Sequence, residues 1–137
     1  MQELLPWIHA NIPVTKDPLK VIIGGSSYGG LAAAFIALMH PDLFGNVLSQ
    51  SGSFWWSPGE KEDEWLIERF AEMPMMPIRF YLEAVLYEGD DILLPNRRLR
   101  DLLLDKGYQI SYVETDGDHD CASWRKTFAN AVMALIP

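Results

Sequence analysis

The residues best suited to chemistry surround Ser27, in the run Gly25-Ser26-Ser27-Tyr28-Gly29. This G-x-S-x-G pattern follows the apolar residues 21–23 and precedes an alanine-rich stretch. A strand that bends sharply before a helix holds one side chain in an exposed position, and flanking glycines let backbone pass close beneath it. The pattern therefore predicts a nucleophile elbow with Ser27 as nucleophile in acyl transfer. A structural Gly-Ser turn is the alternative interpretation.

A serine hydroxyl is a poor nucleophile at neutral pH, so it needs a base and a third group that orients that base. The chain has three histidines. His9 and His40 belong to predicted helices and are interpreted as ordinary helix residues. His119 lies in the polar loop 116–120 after the last predicted strand, which emerges at the same carboxyl edge of an α/β sheet as Ser27. His119 is therefore the predicted base.

Three carboxylates compete for the role of the third group in the loop after the predicted strand 78–85. Glu88 comes soonest after the strand, whereas Asp90 and Asp91 can instead cap the helix that follows. Spacing does not decide among them, and a serine–histidine dyad without an acid is a further alternative.

Other residues are candidates for stabilising the reaction or binding its substrate. The backbone N–H of Tyr28 is predicted to be one oxyanion-hole donor, but no segment obviously supplies a second. Trp55 and Trp56, in the loop after the second strand, are predicted to line a substrate pocket. Trp124 is a further substrate-binding candidate, although its place on the apolar face of the last helix favours core packing.

An alternating α/β scaffold is predicted to position these residues. The hydrophobic pattern predicts helices at about 3–10, 29–39, 62–73, 96–106 and 123–136, and strands at 19–23, 46–50, 78–85 and 108–114. This alternation predicts about four parallel strands with right-handed crossovers and helices on both faces. One side of the last helix is expected to be apolar through Trp124, Phe128, Ala131, Val132 and Leu135.

Composition limits the classes of partner. The chain has 137 residues, of which 49% are hydrophobic, and a net charge of -8. This length and apolar content predict one domain. Nucleic-acid and membrane partners are not expected, because they carry negative charge and would repel an acidic chain. Because Cys121 is the single cysteine, internal disulfides are excluded, and a cytoplasmic location is favoured. Cys121 is not expected to act as a nucleophile with His119, because residues this close in the chain rarely orient their side chains toward each other. No zinc-ligand spacing or phosphate-binding loop is present, so neither metal nor cofactor is expected.

Four motifs together resemble the Putative esterase family, also called esterase D-like, and its enterochelin esterases in particular. The motifs are Gly25–Gly30, Tyr81–Ala84 with Glu88, Asn96–Leu99, and Gly117–Asp120 with Trp124-Arg125. The resemblance implies an α/β-hydrolase fold with Ser27 as nucleophile, His119 as base and Glu88 as acid. The chain departs from the family at Val85, where many relatives have glycine. It also departs at Asp118, which replaces a second glycine and is tolerated because aspartate can adopt left-handed backbone.

The resemblance also implies that residues 1–137 form one partial domain, the C-terminal half of an α/β-hydrolase. The strand edge at Val21–Gly24 is then expected to pair with preceding strands or with a second copy of the chain. The expected function is a serine carboxylic ester hydrolase without a cofactor, acting on a small siderophore-type trilactone or on a feruloyl or acetyl ester. The alternatives are an acyltransferase of the same family and an incomplete, non-catalytic hydrolase module.

Overall fold

The computed structural model describes residues 3–59 and 64–136, which form a four-stranded sheet and its covering helices. The helices are α1 (Leu4–Asn11), α2 (Tyr28–Met39), α3 (Trp65–Glu72), α4 (Asp90–Asp105) and α5 (Cys121–Leu135), with a 3-10 turn at Pro18–Lys20. The strands are β1 (Ile22–Ser26), β2 (Asn46–Gln50), β3 (Arg79–Val85) and β4 (Gln109–Thr115). All pairings are parallel, in the order β1-β2-β3-β4. The predicted α/β class with four parallel strands is confirmed.

Chain connectivity determines which helix covers which face. Each of the three strand-helix-strand connections leads to the adjacent strand, always on the same side of the preceding one. Right-handed connections therefore place α2, α3 and α4 on a common face of the sheet. There Val47, Phe80 and Leu82 join the main apolar core. The alternate strand residues Leu48 and Tyr81 point to the other face and pack against α5. The carboxyl ends of all four strands therefore share one edge, and the candidate residues follow them.

The first strand begins later than the sequence pattern predicted. Leu19, predicted to be in the strand, lies in the 3-10 turn because Asp17 Oδ1 accepts a hydrogen bond from its N–H at 3.1 Å. Pro18 occupies the first helical position, where its missing N–H costs nothing. At its other end β1 continues through both glycines to Ser26, so the bend falls directly at Ser27.

Helix α4 begins six residues before its predicted start. Its cap is Gly89 at φ 91°, and Asp90 and Asp91 lie in the first turn, where negative charge is favourable. Pro95, the residue directly before the predicted bounds 96–106, lies inside α4. Helix α3 begins at Trp65, while the predicted start of this helix falls on residues outside the described ranges.

Helix α5 differs from the prediction at Phe128, which is 53% exposed although Ala131 and Leu135 are buried. Phe128 and Val132 instead flank a groove of about 410 Å³ along β1. Among the described residues β1 pairs on one side alone, with β2, and a partner for its other edge stays a prediction. Within the described ranges, no helix is both long enough and apolar enough to cross a membrane.

Candidate active site

Ser27 lies on a sharp bend between β1 and α2. Its backbone has φ 55° and ψ −125°, a conformation that is costly for a residue with a side chain. The bend is held by the Ser27 N–H, which donates to Gln50 O at 2.9 Å, and by the N–H of Gly30, which donates to Ser27 O at 3.0 Å. A Cβ at Gly25 would lie 2.6 Å from the Gly29 carbonyl carbon, so this close approach requires glycine. The bend therefore places the Ser27 hydroxyl at the carboxyl edge of the sheet.

His119 and Glu88 meet at the same edge. His119 Nδ1 lies 2.9 Å from Glu88 Oε1, and Glu88 Oε2 accepts a hydrogen bond from the Val85 N–H at 3.1 Å. The Glu88 side chain is fully buried, whereas that of His119 is 36% exposed. The competing carboxylates Asp90 and Asp91 lie in the first turn of α4. Of the three carboxylates considered in the sequence, Glu88 is the one in contact with His119.

The loop that carries His119 is fixed by the start of α5. Asp120 caps the helix by accepting a hydrogen bond from the Ser123 N–H at 2.7 Å, and this bond lowers the pKa of the Asp120 carboxyl. Ser123 Oγ accepts from the Asp118 N–H at 3.0 Å. The residue with positive φ is Gly117, at 150°, and not Asp118, so the left-handed conformation expected for Asp118 is wrong. A Cβ at Gly117 would meet Ser123 Oγ at 2.5 Å, which explains why glycine is needed there instead.

The Ser27 hydroxyl has a partner that the sequence did not suggest. Ser27 Oγ lies 3.2 Å from Ser53 Oγ, and among the described residues Ser53 is its one side-chain hydrogen-bond partner. The structure thus brings His119 and Glu88 into contact and places Ser27 against Ser53. The place of Ser53 in the chain could have identified it as a candidate, because the loop after β2 lies at the edge where the other candidates were expected.

The oxyanion-hole candidate is the first residue of α2. Among the described residues, the N–H of Tyr28 donates to no backbone carbonyl. A free N–H at a helix N-terminus favours a developing negative charge. The Tyr28 ring contacts Trp55 edge-on, with centroids 5.8 Å apart, and Trp55 is 40% exposed. Trp55 therefore lies beside the elbow with surface available to a ligand.

The other two tryptophans have different environments. Trp56 packs edge-on against Trp65 of α3 and against the main core, which favours a structural role over the expected substrate contact. Trp124 is half-buried, and its indole Nε1–H donates to Ser51 Oγ at 3.0 Å. Its ring lies edge-on to the His119 imidazole at a centroid distance of 5.0 Å. Trp124 thus packs beside the histidine, and it is not among the described residues that form or contact the hydrophobic core.

Beneath the site a buried polar cluster joins the sheet to α5. Gln50 Nε2 donates to the Trp124 carbonyl at 2.8 Å and to Thr127 Oγ1 at 2.9 Å, and lies 3.3 Å from Glu83 Oε2. Glu83 is fully buried, and burial is the main cause that raises the pKa of its carboxyl. This cluster anchors the helix that follows the His119 loop.

Three other titratable residues were considered as candidates. His9 is in α1 and His40 follows the last residue of α2, where its N–H donates to Ile36 O at 2.9 Å. Cys121 is the exposed first residue of α5. No group of three or more potential metal ligands occurs within residues 3–59 and 64–136.

Comparison with known proteins assigns the family. The family described as "Putative esterase" matches residues 1–73, more than half of the chain. The chain belongs to this esterase family. Over 127 residues it is 36% identical to the iron(III) enterobactin esterase of Escherichia coli, covering 90% of this chain and 32% of that protein. It is also 30% identical over 144 residues to the iron(III) salmochelin esterase of the same species, covering 96% of this chain and 35% of that protein.

Solved structures agree with this assignment. The enterobactin esterase of Shigella flexneri matches this esterase-family chain with a TM-score of 0.88 and 33% identity, over 98% of this chain and 36% of that one. The S-formylglutathione hydrolase of Staphylococcus aureus shares the fold at a TM-score of 0.79 and 19% identity, over 99% of this chain and 59% of that one. The chain thus spans about a third of the length of the enterobactin esterases that it matches.

Proposed function

We propose that this chain carries the catalytic residues of a serine carboxylic ester hydrolase, with Ser27 as nucleophile, His119 as base and Glu88 as the acid. The observation that carries the proposal is the 2.9 Å contact between His119 Nδ1 and a buried carboxylate oxygen of Glu88. It occurs at the sheet edge where Ser27 occupies a strained bend. A carboxylate at Nδ1 fixes the imidazole tautomer that leaves Nε2 free to take a proton.

The proposed reaction proceeds through an acyl-enzyme. Ser27 Oγ attacks the ester carbonyl carbon while His119 Nε2 takes the serine proton, and the carbonyl oxygen becomes an oxyanion near the Tyr28 N–H. His119 then returns the proton to the leaving alcohol as the carbon–oxygen bond breaks. Water attacks the acyl-enzyme with the same base, releasing the acid and restoring Ser27. Glu88 stabilises the imidazolium in both steps.

We propose esters of an iron(III)-siderophore of the enterobactin type as the substrate class. The support is the identity to relatives named as iron(III) enterobactin and salmochelin esterases. Trp55, partly exposed beside Tyr28, offers an aromatic surface for the acyl group of such a ligand. Feruloyl and acetyl esters are the comparison substrates. We further propose a cytoplasmic location, which the single cysteine supports.

An incomplete hydrolase module is the second candidate function. One observation favours it: among the described residues, Ser27 Oγ is paired with Ser53 and not with His119. On this alternative the chain binds but does not turn over esters.

A fluorophosphonate probe separates the two candidates because it reacts with activated serines. We expect an adduct on Ser27 in the native chain, none in Ser27→Ala, and strongly reduced labelling in His119→Ala. His40→Ala is the matched control and should label like the native chain. A folded chain without labelling and without turnover of an enterobactin-type ester supports the incomplete module. Faster hydrolysis of feruloyl or acetyl esters would contradict the proposed substrate class.

A further inference from the structure

We propose that Ser53 is a positioning residue for the nucleophile, whose hydroxyl donates a hydrogen bond to Ser27 Oγ. The inference rests on the proposed function, since it concerns how the Ser27 hydroxyl is prepared for attack. Ser53 forms no bond to the substrate and keeps its own proton throughout.

Ser53 contacts Ser27 at two points. Its backbone N–H donates to Ser27 O at 3.1 Å, and its Oγ lies 3.2 Å from Ser27 Oγ. Ser53 is 1% exposed, and within the described ranges its hydroxyl has no other side-chain partner. A buried hydroxyl has a strong preference for a hydrogen-bond acceptor, and Ser27 Oγ is the side-chain acceptor within reach.

The loop that carries Ser53 is held on both sides. The fully buried Asn96 of α4 donates from Nδ2 to Gly52 O at 2.8 Å. A Cβ at Gly52 would lie 2.3 Å from the buried Phe54 ring, so the loop packs closely on the core. On the C-terminal side of Ser53, the Trp56 N–H donates a hydrogen bond to Ser53 O at 3.0 Å. The Ser53 hydroxyl therefore has a fixed position from which to orient its neighbour.

This arrangement has a direct chemical consequence. When Ser27 Oγ accepts a hydrogen bond from the Ser53 hydroxyl, the proton of Ser27 stays available for His119. As that proton leaves, negative charge develops on Ser27 Oγ, and a donor already aimed at this atom stabilises it. Ser53 therefore both restricts the Ser27 rotamer and supports its activation.

Ser49 provides a matched control. It is a fully buried serine on β2, and its hydroxyl has no hydrogen-bond partner among the residues that the structure describes. Ser49→Ala therefore removes a buried hydroxyl four residues away without removing a hydrogen bond. Ser53→Thr is the conservative variant, because it keeps the hydroxyl.

The first measurement is the Ser27 side-chain rotamer, read from three-bond Hα–Hβ couplings by NMR. We expect one χ1 rotamer in the native chain and in Ser49→Ala, and averaged couplings in Ser53→Ala. Native couplings in Ser53→Ala would overturn the inference. This measurement needs no catalytic activity, so it decides the role of Ser53 even where the proposed function fails.

The second measurement is the rate of fluorophosphonate labelling of Ser27. We expect a fall of about tenfold in Ser53→Ala, the loss of about one hydrogen bond, with recovery to within about threefold in Ser53→Thr and no change in Ser49→Ala. Labelling of Ser53→Ala at the native rate would overturn the inference while leaving the proposed function intact. A native chain that resists labelling contradicts the proposed function, and the rotamer comparison then stands alone as the test of Ser53.

Discussion

His119 Nδ1 and Glu88 Oε1 lie 2.9 Å apart, although 31 residues separate them in the chain. The contact is possible because β3 and β4 are adjacent parallel strands whose following loops leave the same edge. Glu88 follows β3 and folds back to accept the Val85 N–H with its second oxygen. This backbone contact fixes the carboxylate, so the oxygen facing His119 has a defined direction.

Glu88→Gln should reduce ester turnover and fluorophosphonate labelling on the order of 10³-fold, because a neutral amide does not stabilise the imidazolium and can favour the wrong tautomer. Asp90→Asn and Asp91→Asn are matched controls in the next helix and should stay within about twofold of the native chain. Labelling rates compared at one pH give the answer. A larger loss in either aspartate variant than in Glu88→Gln would refute the assignment of the acid.

The strand-helix alternation and the elbow could be predicted from sequence because each depends on local pattern. Strand β2 was predicted with the bounds that it has. The choice among Glu88, Asp90 and Asp91 could not be made, since it depends on how the turn after β3 folds back on Val85. Ser53 was missed for a similar reason: its contact with Ser27 depends on a loop held by Asn96, which is distant in sequence.

Gly30→Ala should destabilise the fold by about 2 kcal/mol or more, whereas Gly29→Ala should be neutral or stabilising by up to about 1 kcal/mol. A Cβ at Gly30 would lie 2.3 Å from Ser49 Oγ, because α2 packs closely on the end of β2. A Cβ at Gly29 would meet no atom within 4 Å. Urea unfolding of both variants tests the difference. Equal stability would contradict the close packing of α2.

Glu83→Gln should be more stable than the native chain at pH 8, on the order of 1 kcal/mol, and the difference should vanish near pH 4. Burial raises the pKa of the Glu83 carboxyl, so the folded state keeps a proton that the unfolded state releases above about pH 4.5. This contribution to stability is present at low pH and is lost as the pH rises through the folded pKa. Unfolding free energies between pH 4 and pH 8 provide the measurement. A variant less stable than the native chain at pH 8 would show that the Glu83 charge is favourable.

Arg97→Gln should show the opposite pH dependence. The Arg97 guanidinium, bonded to both oxygens of Glu114 at 2.7 Å, lowers the pKa of that carboxyl to about 2. The stabilisation is present above about pH 4.5 and is lost as the pH falls toward 2. Since Arg97 is 38% exposed and solvent screens the pair, we expect a small loss of unfolding free energy at pH 7 and little difference at pH 2.

The exposed pair of Arg69 and Glu72 is the control for that measurement. Both side chains are more than half exposed, and Arg69→Gln should change the unfolding free energy by less than about 0.5 kcal/mol at either pH. A pH-independent effect of Arg97→Gln would mean that packing, rather than charge, accounts for its contribution.

The edge of β1 that is unpaired among the described residues should promote self-association of this chain in the absence of a partner strand. Among the described residues β1 is paired with β2 alone, and its face continues into the groove lined by Phe128 and Val132. Light scattering should therefore give a mass that rises above 15.6 kDa with concentration, with protection of the β1 amides in hydrogen exchange. Ile22→Lys places a charge at this edge and should keep the chain monomeric. Met133→Lys, on the exposed side of α5, is the control and should associate like the native chain. A monomer with protected β1 amides at every concentration would show that the edge is already covered within the chain.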